Sequence, residues 1–159
     1  MDTLWSPWRY RYVTRQDRPT GCIFCAMGEA GDADAEHFVL ARGEHVYVVL
    51  NRFPYTGGHL MVVPYQHVPD LSSLEAPVLN ELMLYLQRSE QALRAAYNPG
   101  GINMGLNLGE CAGAGIAAHL HFHALPRWPG DANFMTVVGE TRVIPESLED
   151  SWVKLKQHF

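Results

Sequence analysis

Three short stretches of the chain are apolar throughout or alternate with a period of two. They are Val46-Tyr47-Val48-Val49-Leu50, His59-Leu60-Met61-Val62-Val63-Pro64 and His119-Leu120-His121-Phe122-His123-Ala124-Leu125. Short runs of this kind, rich in β-branched and aromatic residues, predict strands. Ile102 to Leu108 is a weaker fourth candidate. The period then changes: Leu79, Leu82, Met83, Leu86, Leu93 and Tyr97 fall at spacings of three, four and seven, which makes one apolar stripe on a helix. Ser72 and Glu75 have the spacing of a capping box, but Pro77 moves the regular start nearer Ala76, and Asn98-Pro99-Gly100-Gly101 ends the helix. A second, short helix is expected near Leu148 to Gln157. Short antiparallel strands around one long helix predict an α+β domain.

Composition narrows this picture in a few places. A chain of 159 residues that is 47% hydrophobic is long enough to bury a real core and fits one domain spanning 1–159. No repeat appears, and the loop-like runs Gly28 to Glu36 and Asn107 to Ala118 are too short for linkers. A net charge of −5 argues against a nucleic acid polymer held on a basic face, while leaving room for a small phosphorylated ligand. The first residues show no basic stretch followed by an apolar run, and no segment approaches the ~20 apolar residues of a membrane span. Neither secretion nor a membrane partner is expected. Three cysteines cannot all pair, and Cys22 and Cys25 have metal-ligand spacing, so a reducing cytoplasm is expected. Cys111 reads as a small loop residue.

The third strand carries the chemistry. Alternate residues of a strand face one side, so His119, His121 and His123 stand in a row roughly 6 to 7 Å apart, with Leu120, Phe122 and Ala124 facing the core. Three imidazoles on one face are poor core filler, because each has ring nitrogens that need partners. Two readings stay open. Imidazole is a common metal ligand, and it is also a nucleophile or proton carrier near neutral pH.

A single zinc held by all three histidines competes with a closed zinc site elsewhere in the chain. Cys22-Ile23-Phe24-Cys25 has the two-residue spacing of structural zinc, and a tetrahedral ion needs two further ligands. His67, after the strand ending at Pro64, and His119, opening the histidine strand, could converge on that pair. A redox role for the cysteines would want a thioredoxin-like βαβ context, which is absent from the pattern.

At this point the residues resemble the histidine-triad superfamily, whose signature alternates three histidines with apolar residues, as in His119-Leu-His-Phe-His-Ala-Leu-Pro126. Cys22-Ile-Phe-Cys25, Asn51-Arg-Phe-Pro54, Gly58-His59-Leu-Met-Val-Val-Pro64 with His67, and the Gly/Ala loop before the triad follow in the family's order, from about residue 20 to 128. The resemblance implies a HIT-like fold, with an antiparallel sheet of about five strands, one long helix and a short C-terminal helix. It implies that His121 is a nucleophile forming a covalent nucleotidyl intermediate, with His123 and backbone N–H groups of Gly113, Gly115 and Ile116 around the α-phosphate. It places Asn51 on the ribose hydroxyls and Asn107 at the start of the phosphate loop. It assigns Cys22, Cys25, His67 and His119 to a structural zinc, leaves His59 either structural or functional, and implies a homodimer through the long helix and the neighbouring strand.

Two further segments are similar to a bacterial branch of the family that includes diadenosine tetraphosphate phosphorylases. They are Leu4-Trp-Ser-Pro-Trp-Arg9, in an aromatic-rich segment 1–20, and Pro126 to Met135 continuing through Arg142 to Glu146, in an extension 129–159. That similarity implies inorganic phosphate as acceptor, ADP and ATP as products, and Arg127 and Trp128 near the polyphosphate. The chain departs from the common pattern at Ala114-Gly115-Ile116, where many members carry Gln and a hydroxyl residue. That departure keeps two alternatives in play: hydrolysis of nucleoside phosphoramidates or dinucleoside polyphosphates, and a zinc-stabilised nucleotide-binding module without turnover.

Overall fold

The computed structural model describes residues 21–31, 33–132, 136, 138 and 143–159. The Leu4–Arg9 segment, Asn133 to Met135 and Arg142 lie outside the described residues. Five antiparallel strands form one sheet: β1 (Val39–Arg42), β2 (Val46–Leu50), β3 (Leu60–Pro64), β4 (Gly101–Gly105) and β5 (Phe122–Arg127), in the order β1-β2-β3-β5-β4. Among the described residues, four helices accompany them: α1 (Ile23–Glu29), α2 (Asp34–His37), α3 (Ala76–Tyr97) and α4 (Leu148–Lys156).

β2 and β3 pair in unbroken register from Val46↔Pro64 to Leu50↔Leu60, and every residue of both is buried. Side-chain alternation divides them between two cores. Val46, Val48, Leu50, Leu60 and Val62 pack with Leu82, Leu86 and Leu93 of α3 and Leu155 of α4. Tyr47, Val49, Met61 and Val63 meet Phe24 and Met27 of α1 on the opposite face. With both faces covered, the strands read as continuous apolar runs. Each fully buried aliphatic side chain contributes about 1.5 to 3 kcal/mol relative to exposure.

The structure departs from the sequence pattern in four places. β1 has only four residues and is preceded by Phe38 at φ 58°, so no periodicity announces it. Tertiary bonds secure it instead: Trp152 Nε1–H donates to the Val39 carbonyl at 3.0 Å and Lys156 Nζ to that of Leu40 at 2.8 Å. Met83, expected in the buried stripe of α3, is 62% exposed beside Leu84 at 58%, because the buried side runs through Leu82, Tyr85, Leu86, Ser89, Ala92 and Leu93.

The Ser72–Glu75 capping box does not form. Asp70 Oδ1 accepts from the Ser73 N–H and both serine hydroxyls, while Glu75 is the N-cap of α3 without a side-chain bond. The fourth departure concerns the histidines. β5 begins at Phe122, so His119 and His121 precede the strand instead of lying in it, and only His123 has a ladder position, opposite Met61 and Gly105. The cause is a separate bond from the Leu120 N–H to the Val68 carbonyl at 2.7 Å, which draws the chain off the β3 ladder toward the segment containing His67. Leu120 and Ala124 still face the α3 core, as alternation requires.

Candidate active site and metal cluster

The bend before β5 separates the three histidines into two clusters. His119 turns toward α1. Its Nδ1 lies 3.3 Å from Cys22 Sγ, 3.6 Å from Cys25 Sγ and 3.2 Å from His67 Nδ1, and Cys25 Sγ lies 3.3 Å from His67 Nδ1. The four ligand atoms all fall within 4.8 Å of one another. A tetrahedral zinc with ordinary Zn–S and Zn–N bonds has ligand–ligand edges of about 3.4 to 3.8 Å, so the donor set and spacing fit that ion. Cys22 is the N-cap of α1 and Cys25 is in its first turn, which explains why two intervening residues bring both sulfurs to one point. His119 Nε2–H donates to the Pro64 carbonyl at 2.9 Å, so the lone pair is on Nδ1, the nitrogen that faces the sulfurs. Burial lowers the His119 pKa, an effect opposed by that carbonyl.

His121 and His123 form the second cluster with His59. The network assigns their tautomers. His121 Nδ1–H donates to the His119 carbonyl at 2.8 Å, so the lone pair is on Nε2. His59 Nδ1 accepts the Tyr55 N–H at 3.1 Å, which puts the ring proton on Nε2, and that N–H donates to His123 Nδ1 at 2.9 Å. His123 therefore carries its proton on Nε2, and its ring stands at 79° to His121 with centroids 5.0 Å apart. A nitrogen with an open lone pair and a donor nitrogen are thus carried by adjacent rings. All three rings are held neutral. Burial lowers the pKa of His121, and burial with the neighbouring imidazoles takes His59 to about 3 and His123 to about 4.

The other residues expected from the sequence fall around this pair or away from it. Asn51 Oδ1 accepts the Phe53 N–H at 2.9 Å and its Nδ2 is 3.4 Å from His59 Nδ1, so the carboxamide sits beside the histidines and keeps further donor and acceptor capacity. Asn107 Nδ2 lies beside Gly113, which takes φ 92° at the end of the turn Glu110–Ala112. The N–H groups of Gly113 and Ala114 are consumed inside that turn, by the carbonyls of Glu110 at 2.9 Å and Gly109 at 3.2 Å. Among the described residues, no backbone carbonyl takes the N–H of Gly115 or Ile116, which narrows the loop's donors to those two. Ile116 packs on the α1-side core, and Cys111 is exposed in the turn.

Trp128 is placed past the far end of β5 from His121. It packs edge-on to Tyr97 at 6.1 Å and lines a cavity of about 1100 Å³, together with Tyr55, Glu146 and Lys154. Arg127 is engaged by Asp131 and Asn103. Tyr55 is the link between this cavity and the histidines, since its ring lies 4.6 Å from that of His59. The sequence left His59 undecided; in the fold it is bonded to His123.

The open five-stranded sheet, the helix across one face and the paired histidine clusters define a histidine-triad domain, and the chain belongs to the HIT domain family, whose model matches residues 32–130. Within that family it is 42% identical over 157 residues to the AP-4-A phosphorylase of Mycobacterium tuberculosis strain H37Rv, a match covering 95% of this chain and 80% of the relative. Its structure resembles that of a Zn-bound histidine triad family protein from Mycobacterium smegmatis, with TM-score 0.69, 28% identity, and coverage of 87% of this chain and 92% of the other. A HIT family member from Bacillus subtilis superposes with TM-score 0.62 at 27% identity, covering 87% and 97% of the two chains. Among the described residues, no helix is long and apolar enough to cross a membrane.

Proposed function

We propose that this chain transfers a nucleotidyl group from an adenine dinucleoside polyphosphate to inorganic phosphate through His121. The observation that carries the reading is the pair of opposed nitrogens: His121 with Nδ1–H fixed on the His119 carbonyl, and His123 with Nδ1 filled by His59. His121 Nε2 attacks the α-phosphorus of diadenosine tetraphosphate, a P–N bond forms, and the P–O bond to the remaining phosphates breaks to release ATP. An oxygen of inorganic phosphate then attacks the same phosphorus, the P–N bond breaks, and ADP leaves with His121 restored. His123 Nε2–H and the N–H groups of Gly115 and Ile116 donate to the phosphoryl oxygens, where negative charge accumulates. Asn51 takes the ribose hydroxyls, and Asn107 steadies the loop beside Gly113. Likeness to the mycobacterial phosphorylase supports the choice of substrate and acceptor.

Cys22, Cys25, His67 and His119 hold a structural zinc, whose contribution is to cross-link α1 to the segments before β5 and after β3. A homodimer forms through the exposed Met83 and Leu84 face of α3 and the open edge at β4, where Met104 is 41% exposed.

The test is incubation of diadenosine tetraphosphate with wild-type and His121→Ala protein, with and without inorganic phosphate. Phosphate-dependent ADP plus ATP, absent from the variant, is the expected result. AMP plus ATP regardless of phosphate identifies a hydrolase, and nucleotide binding without products identifies a module that has no turnover.

A further inference from the structure

We infer that the metal cluster is a positioning device for the nucleophile: the segments carrying its ligands also hold both groups that fix the His121 ring, the His119 carbonyl and the Phe24 ring. The inference rests on the readings of His121 as nucleophile and of the Cys/His tetrad as a zinc site.

Two independent contacts support it. The first is the 2.8 Å bond from His121 Nδ1–H to the carbonyl of His119, a residue whose own imidazole faces both sulfurs. The second is Phe24, which sits between the two cysteines and is only 3% exposed. Its ring lies 4.9 Å from that of His121 and 5.4 Å from that of His119. An ion binding all four side chains therefore closes a ring of structure around the nucleophile, with acceptor on one side and packing surface on another.

The anchoring of α1 shows why the ion matters to that geometry. At its C-terminal end the Arg42 guanidinium donates to the carbonyls of Gly28 at 2.8 Å and Met27 at 2.9 Å. At its N-terminal end Cys22 makes no capping side-chain bond, and the Tyr47 hydroxyl holds the Phe24 carbonyl at 2.7 Å. Packing of Phe24 against Tyr47, Val49, Met61 and Val63 holds this end to the sheet, and the thiolates are the handle that ties it to His119. Without the ion, His119 keeps its bond to the Pro64 carbonyl and Phe24 its core packing, but the direct tie between their segments is lost. The His121 proton is then no longer confined to Nδ1, and a proton on Nε2 occupies the lone pair that must attack phosphorus. A bound ion would touch neither substrate nor reacting atoms; Phe24 and His119 are positioning residues.

The experiment compares zinc-loaded protein, chelator-stripped protein and zinc-loaded Phe24→Leu. It uses ¹⁵N-histidine spectra to read the His121 tautomer, metal analysis, and separate kcat and KM values for diadenosine tetraphosphate. The expected result is a single Nδ1–H form of His121 when zinc is present and a mixture after stripping. With it go a loss in kcat of about tenfold or more, KM changed far less, and recovery on returning zinc. Phe24→Leu should keep one equivalent of zinc and still lose kcat. If stripping unfolds the chain, that variant decides alone. Stripped protein with an unchanged tautomer and kcat overturns the inference, as do Phe24→Leu with wild-type kcat and wild-type protein that binds no zinc. If zinc-loaded wild type turns over no nucleotide, the functional reading fails while the tautomer comparison still judges the coupling.

Discussion

His59 Nε2 stands 2.9 Å from His123 Nδ1, and this contact determines which nitrogen of His123 carries the proton. Because the Tyr55 N–H occupies the other side of His59, the direction of the chain of bonds is fixed from backbone to His59 to His123. His123→Ala removes a donor to the developing charge and should lower kcat about 10² to 10³-fold, the range for loss of one such donor. His59→Phe keeps the ring but removes both nitrogens. It should lower kcat by about tenfold or more, and should add little further loss to His123→Ala, because the two act in one path. Fully additive losses in steady-state rates of the double variant would show that His59 acts some other way.

Acid should destabilise the fold through the same residue. His59 is 1% exposed, and burial holds its pKa near 3, below the usual value of 6.5. Above 6.5 the ring is neutral in folded and unfolded chains and costs nothing. Below it the unfolded chain binds a proton that the folded chain refuses, so stability falls as pH drops from about 6.5 toward 3, by about 1.4 kcal/mol per pH unit for this group. Denaturant unfolding at pH 7, 6 and 5 should show at least that slope, to which the lowered His123 and His121 add, and His59→Gln should reduce it. An unchanged slope in the variant would remove His59 as its source.

Metal analysis of protein purified without chelator should find one zinc per chain. Cys22→Ser and Cys25→Ser each remove a ligand and should cut zinc affinity at least tenfold, with a lower unfolding midpoint. Midpoints equal to wild type in both variants would refute the site.

The apolar face of α3 gives a prediction about assembly. Met83→Glu with Leu84→Glu places two charges where the dimer contact is proposed, and light scattering should show a monomer of unchanged helical content. A dimer that persists in this variant would place the contact elsewhere.

Much of this protein is written locally. The apolar runs at 46–50 and 60–64 are strands because both sides of a two-residue period are apolar, and the three-and-four spacing from Leu79 to Tyr97 makes a helix. The spacing of Cys22 and Cys25 suffices to bring two thiols to one helical turn, and the alternating histidines mark the segment proposed to react. What no local pattern contains is the partner of each polar atom. β1 pairs with β2, and its other carbonyls are taken by Trp152 and Lys156 from the far end of the chain. His119 parts from His121 only because Leu120 bonds to Val68, and Gly113 spends its N–H inside a turn. His59, whose role the sequence leaves open, finds its partner in a residue 64 positions away, which accepts the hydrogen bond from its Nε2–H. Periodicity reports which side of an element is apolar, whereas the direction of a hydrogen bond depends on two groups that meet only after folding.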